Sequence, residues 1–288
     1  MPEHDAPSAG GRRRPLRRSW RRSVNTALAS ITGYELRRAG AAAPQPGPAP
    51  TGPDRRAVAR RRKYALHDDF DEASKDIIRA VRMRTMTSSE KLFALISAVR
   101  YVVEHDIPGD LVECGVWRGG SMQAAAMALL QAGSTARDLY LFDTYEGMPP
   151  PSDIDRRRDG RTAAELLASA DRTAPVWAVA HVDDVREGMA AVGYPDDRVH
   201  YVRGMVEDTV PTRAPQTISI LRLDTDWYAS TRHELTHLYP RLSSGGVLII
   251  DDYGYWQGSR RAVEEFLAET GARLLLTRIS AGRIAVKP

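Results

Sequence analysis

A single cysteine, Cys114, is all the 288-residue chain contains, which excludes an internal disulfide and any zinc cluster held by several thiolates. A reducing compartment fits that usage, and the cytoplasm is the expected location. Lysine is almost as scarce, with four in all (Lys63, Lys75, Lys91 and Lys287), and arginine takes its place. Nowhere is there a run of about 18 apolar residues, so no membrane-spanning helix is expected. The N-terminal segment also lacks the apolar stretch of a signal peptide. Cations are unevenly spread: residues 1–63 carry 15 Lys and Arg against 4 acids, and residues 64–288 carry 26 against 33. The net charge of +4 therefore belongs to the first part, and the mildly acidic remainder argues against nucleic acid as its partner. Apolar residues make up 42% of the chain, enough for a sizeable core.

Composition divides the chain into two parts, 1–63 and 64–288. Residues 1–22, MPEHDAPSAGGRRRPLRRSWRR, combine charge, Pro and Gly and bury too little to fold alone, so disorder is expected. SVNTALASITGYELRRAG has apolar residues at the spacing of a short amphipathic helix, and AAAPQPGPAPTGPD reads as a Pro-rich linker. This basic extension is open to more than one reading: a solvated tail, or a peripheral contact with an anionic membrane surface or nucleic acid. In TSSEKLFALISAVRYVVEH, Thr87 and Glu90 have capping-box spacing, and Leu92, Leu95, Ile96, Val99 and Val103 share one face, which predicts a helix. After it, short continuous apolar strands alternate with amphipathic helices through to RLLLTRI and RIAVKP. The pattern predicts an α/β fold: a mostly parallel seven-stranded sheet, helices on both faces, and an antiparallel edge. Ligands of such sheets sit at the carboxyl ends of the strands.

The first strand ends in VECGVWRGGS. Its acid-x-Gly-x-x-x-Gly spacing is not the nicotinamide fingerprint; it resembles the first motif of class I S-adenosylmethionine methyltransferases, although a tight strand-to-helix turn needs glycine in any case. By that resemblance Glu113 and the loop of Gly115 and Gly119 face the amino-acid part of the cofactor, helped by Ser121. The second strand, DLYLFDT, ends in Asp143. An acid there either accepts hydrogen bonds from both ribose hydroxyls or caps the following turn. Gly204 and Met205, after the next strand, fall where the adenine is held in such enzymes.

Two further strands end in paired acids: Asp224 and Asp226 in ILRLDTDWYAST, then Asp251 and Asp252 in GVLIIDDYGYW. Neighbouring strands lie about 4.8 Å apart, so these side chains converge, and unpaired they would repel one another and raise each other's pKa. Oxygen-only ligands favour Mg²⁺ or Mn²⁺ over zinc; ion pairs with Arg222, Arg232 or Arg260 are the competing reading. VECGVWRGGSM, DLYLFDTYEGMP, RLDTDWYAST and LIIDDYGYWQGSRRAVEEF, in this order, are similar to the macrocin O-methyltransferase family, metal-dependent sugar methyltransferases of antibiotic pathways. The similarity runs from about Thr85 to the C-terminus. One departure is Arg84, where an aromatic residue is expected.

The resemblance implies metal ligands at Asp224, Asp251 and Asp252, a general base at Asp226, and S-adenosylmethionine and Mg²⁺ as cofactors. It places the cofactor against Thr87, Glu113, Gly115, Gly119, Ser121, Asp143, Gly204 and Met205, and implies a small-molecule glycoside acceptor and a homo-oligomer. The chemistry is coherent: chelation by two neighbouring hydroxyls acidifies the attacking one, and Asp226 takes its proton. His233 and His237, at helical i, i+4 spacing, are rival bases. Trp227, Tyr228, Tyr253, Tyr255 and Trp256 are candidates to pack on a sugar face, and Arg260 is a candidate acceptor contact. A catechol or other vicinal diol would satisfy the same chelation. A non-catalytic binding module does not need all four acids, and an iron hydroxylase would need a two-His, one-carboxylate set that the chain does not offer.

Overall fold

The computed structural model describes residues 63–288; the basic extension, its expected helix and the Pro-rich linker lie outside the described residues. Two helices precede the sheet, α1 (Glu72–Val81) and α2 (Ser89–Glu104), and the first was not anticipated. The α2 cap lies one residue later than the spacing predicts: Ser88 Oγ, not Thr87, accepts from the backbone of Lys91. Thr87 Oγ1 is instead taken by Arg222 Nη2 at 2.9 Å. Then follow β1 (Asp110–Cys114), α3 (Gly120–Gln131), β2 (Leu139–Asp143), α4 (Ala163–Ala168), α5 (Val182–Ala190), β3 (Val199–Arg203), α6 (Val206–Thr209) and β4 (Ile218–Leu223). The chain ends with α7 (Tyr228–Leu238), β5 (Leu242–Ile250), α8 (Gln257–Thr270), β6 (Thr277–Ile279) and β7 (Gly282–Val286).

The seven strands lie in the order β3-β2-β1-β4-β5-β7-β6. The first five are mutually parallel, while β7 runs antiparallel to both β5 and β6, the expected edge. Strand alternation explains the two-sided core. Leu111, Leu141, Ile220 and Ile249 face one apolar cluster, beneath α1, α2, α3 and α5. Their chain neighbours Val112, Phe142, Leu221 and Ile250 face the other, beneath α7 and α8. With both faces covered, the inner strands are mostly apolar, interrupted by Glu113 in β1 and Arg222 in β4, and show no regular polar alternation in sequence.

Register decides what meets at the carboxyl edge. Glu113 of β1 lies beside Arg222 of β4, and Leu223 lies beside Ile250 of β5. The next residues, Asp224 and Asp251, are therefore neighbours in adjacent loops. Between β2 and α5 runs a long insertion, residues 144–181, which the strand-helix reading passed over. Its one α-helix, α4, has a full capping box from Thr162 and Glu165, a spacing visible in RTAAELLA. Ala163 and Leu167 of the insertion pack with Trp227 and Trp256 in a third apolar cluster, so it is anchored over the acidic end of the sheet.

Candidate active site

A cavity of about 860 Å³ opens at the carboxyl ends of the strands. Thr87, Gly115, Ser121, Asp143, Gly204, Met205, Asp224, Asp226, Asp251 and Asp252 all line it. Glu113 and Gly119 do not. Glu113 lies one layer below, 1% exposed, with Oε1 accepting from Arg222 Nη1 at 2.5 Å. Gly119 is the residue before α3, with φ +78°, and a side chain there would press on Val185. Close approach explains Gly115 better than cofactor contact alone. Its φ is +84°, and a Cβ would run into the Asp224 carbonyl, so only glycine lets the β1 loop cross the β4 loop.

Asp143 is engaged by its own loops. Its Oδ2 accepts from the backbone N–H of Val116 (2.7 Å) and Trp117 (2.9 Å), and its Oδ1 from Tyr145 N–H (2.7 Å). The carboxylate thus ties the β1 loop to the β2 loop, the turn-capping alternative in an extended form. Burial raises its pKa despite these donors.

At the other end, Asp224, Asp251 and Asp252 each present one carboxylate oxygen within 4.8 Å of the others. Two cations enter this group. Arg222, 3% exposed, donates to Asp224 Oδ2 (2.8 Å) and Asp251 Oδ1 (2.7 Å), as well as to Glu113 and Thr87. Lys91 Nζ, from α2, donates to the Asp251 carbonyl at 2.9 Å and to Asp251 Oδ2. Of the three arginines considered as ion-pair partners, only Arg222 reaches the acids; Arg232 pairs with Glu269 and Arg260 with Glu264. Lys91 was missed because it sits in a helical pattern read for its apolar face, where a lysine passes for a solvated position.

These two cations do not balance the group. Burial raises Asp224, with Arg222 opposing and the Asp251 charge adding to the rise. Burial likewise raises Asp252, reinforced by Asp226 and Asp251. Asp251 alone is lowered, to about 2, because Lys91 and Arg222 outweigh its burial. Asp252 Oδ2 is buried and has no hydrogen-bond partner among the described residues. An oxygen-only donor set with crowded, partly unmatched negative charge and a free buried lone pair fits a hard divalent cation. Asp226 adjoins it in a left-handed conformation, φ +67°. Burial and the Asp224 charge push its carboxyl up to about 7.

Other candidates separate cleanly. His233 and His237 pack on each other with tilted rings, centroids 4.4 Å apart, along α7, and His233 Nε2 meets the Val210 carbonyl at 2.9 Å; neither lines the cavity. Tyr255 and Trp256 do line it. Trp227, 3% exposed, packs edge-on to Trp256 at 4.9 Å and donates from Nε1 to the Pro149 carbonyl. Tyr228 and Tyr253 donate their hydroxyls to Glu265 and Glu264, away from the cavity. Arg84 donates to the Asp184 carbonyl at 2.9 Å, so the expected aromatic position is a structural tie between the α1–α2 turn and α5. The insertion contributes Met148, Pro149, Arg157, Arg158, Leu166 and Val176 to the wall, none of them foreseen. No helix among the described residues is long and apolar enough to cross a membrane.

Comparison with known proteins agrees with this arrangement. The chain is 34% identical over 185 residues to demethyldecarbamoylnovobiocin O-methyltransferase of Streptomyces niveus, covering 64% of this chain and 68% of that one. It is 36% identical over 187 residues to 8-demethyl-8-(2,3-dimethoxy-alpha-L-rhamnosyl)-tetracenomycin-C 4'-O-methyltransferase of Streptomyces olivaceus, covering 65% and 69%. Among solved structures, the O-methyltransferase NovP superposes with a TM-score of 0.62 at 29% identity, over 80% of this chain and 94% of that one. The family model described as macrocin-O-methyltransferase matches residues 53–285. The chain belongs to the macrocin O-methyltransferase family and is an O-methyltransferase.

Proposed function

We propose that the enzyme transfers the methyl group of S-adenosylmethionine to a sugar hydroxyl of a glycosylated natural product, with Mg²⁺ held by Asp224, Asp251 and Asp252. The observation that carries this reading is the convergence of those three carboxylates, with Asp226 beside them, in the same cavity as the β1 and β2 loops. The relatives support the acceptor class: one is named for demethyldecarbamoylnovobiocin and another for a rhamnosyl tetracenomycin. The acceptor is a small-molecule glycoside and not a nucleic acid, and the cytoplasm is the proposed site of the reaction.

Gly115, Ser121, Asp143, Gly204 and Met205 would hold the cofactor, which would supply a methyl group already activated on a sulfonium. Asp224, Asp251 and Asp252 would hold a divalent cation, which would acidify the hydroxyl to be methylated. Asp226 accepts that hydroxyl's proton on a carboxylate oxygen. Methyl transfer from the cofactor to that oxygen would give a methyl ether and S-adenosylhomocysteine. The walls contribute alignment: Tyr255 and Trp256, packed against the 144–181 insertion, confine the acceptor together with it and exclude water, so proximity supplies much of the rate.

The test is a methyl-transfer assay over deoxysugar glycosides and catechols, with and without EDTA. Turnover on glycosides is expected, lost on chelation and restored by Mg²⁺. The Asp226→Asn variant is expected to lose roughly 100-fold to 10,000-fold in kcat while still binding cofactor. Activity that survives EDTA removes the metal, undiminished turnover in the variant removes the base, and turnover confined to catechols replaces the acceptor class.

A further inference from the structure

Asp251 has no oxygen to spare. Its Oδ1 accepts from Arg222 Nη2 at 2.7 Å, and its Oδ2 accepts from Lys91 Nζ, which also donates to the Asp251 carbonyl at 2.9 Å. Asp252 Oδ2, in the same group, is buried and has no partner among the described residues. Any ion sharing Asp251 with Asp224 and Asp252 therefore meets a resident cation at close range, and like charges at such a distance repel strongly in a buried setting.

The two resident cations differ in how firmly they are held. Arg222 springs from the central strand β4 and is fixed from several sides: Glu113 on β1, Asp224 on its own loop, Asp251 after β5 and Thr87 before α2. Lys91 makes both its bonds to one residue, Asp251. It does so from the end of a flexible four-carbon stem, rooted in the first turn of a helix that itself lines the cavity. Moving Arg222 would break bonds to four residues, whereas moving Lys91 releases one carboxylate at the moment a new cation arrives to take it.

Resting on the reading of the trio as a divalent-cation site, we propose that Lys91 is an intramolecular stand-in for that ion. It neutralises Asp251 while no ion is bound and yields Oδ2 when one enters. Lys91 then acts as a positioning residue that sets metal affinity and couples metal uptake to the Thr87–Lys91 wall of the cavity.

Calorimetric titration of metal-free full-length protein with Mg²⁺ tests this, using wild type, Lys91→Met and Lys91→Arg. Lys91→Met is expected to bind Mg²⁺ at least about tenfold more tightly, equivalent to ~1.4 kcal/mol, while Lys91→Arg, which keeps a cation there, stays near wild type. Because the chain has only four lysines, carbon-13 labelling at lysine Cε gives a resolvable spectrum. The Lys91 signal, identified by its loss in Lys91→Arg, is expected to move on Mg²⁺ saturation while those of Lys75 and Lys287 stay. Unchanged or weaker affinity in Lys91→Met overturns the proposal, and so does tighter binding with an unmoved Lys91 signal in the wild type, which would leave Lys91 a fixed charge. If Lys91→Met does not fold, the wild-type signal decides alone. Failure of both wild type and Lys91→Met to take up Mg²⁺ or Mn²⁺ overturns the metal reading along with this one, whereas uptake without competition overturns only this one.

Discussion

The cavity has an acid at each end, and the two ends are stabilised by different means. Asp143 is held by three backbone N–H groups from the β1 and β2 loops. Asp224 and Asp251 are held by side chains, Arg222 and Lys91, while Asp252 beside them has a buried oxygen with no partner among the described residues. Backbone donors are part of the fold and cannot leave, so the Asp143 carboxylate braces the β1 and β2 loops and fixes the shape of that end. Arg222 is tied to four residues, but Lys91 sits on a flexible stem bonded to Asp251 alone and can be exchanged, so the other end can take up and release charge. A rigid end suits a cofactor that is the same in every turnover, and an exchangeable end suits an ion.

Replacing Arg222 by Met should show the sharpest form of this contrast. It leaves Glu113, Asp224 and Asp251 without their shared guanidinium, and breaking a buried pair of this kind costs about 3–5 kcal/mol. Urea denaturation should record that loss in metal-free protein, and saturating Mg²⁺ should recover more stability in the variant than in the wild type. A loss that Mg²⁺ does not relieve would mean that Arg222 holds up the sheet edge and not the charge balance of the site.

At the Asp143 end the expected effect is smaller and of another kind. Asp143→Ala leaves the N–H groups of Val116, Trp117 and Tyr145 without their acceptor, and hydrogen bonds to a charged group contribute roughly 1.5–3 kcal/mol. Because no ion is involved, that cost should be the same with and without Mg²⁺. Measured cofactor affinity should fall as the two loops loosen. A Mg²⁺-dependent change in the stability of this variant would erase the distinction between the two ends.

How far the sequence announced each end follows from the same difference. The sheet was legible almost strand by strand, because strands buried on both faces are mostly apolar and end in acids or glycines at the loops. The convergence of Asp224, Asp251 and Asp252 was legible too, because adjacent strand ends must meet. The partners of those acids were not. Arg222 lies inside a strand, where it interrupts an apolar run in ILRLD, and Lys91 follows Glu90 at a helix start, where both look like surface charges. Their burial depends on register and helix placement, which no local pattern carries. The capping residue slipped by one position for a related reason: Thr87 was drawn off by Arg222 from across the fold, and Ser88 took its place. The insertion was hidden because its 3₁₀ turn, short helix and isolated bridges leave little periodicity to read.

The insertion supplies a third kind of anchoring, and the smallest expected effect. Asp155, 1% exposed, accepts from the Tyr228 N–H at 2.7 Å through Oδ1 and from the Ser152 N–H at 2.8 Å through Oδ2, so it fastens the insertion to the start of α7 just after Asp226. Asp155→Asn keeps the size and one acceptor but turns the oxygen facing Ser152 into a donor, at a cost of about 1 kcal/mol. That is too little to unfold the domain, yet it falls on the contact that positions Met148, Pro149 and Leu166 over the cavity. The variant should therefore bind cofactor and Mg²⁺ as the wild type does and show its defect as a raised KM for the acceptor with kcat little changed. A matched fall in kcat with unchanged KM would place Asp155 among the groups that hold Asp226, tying the insertion to proton transfer rather than to acceptor binding.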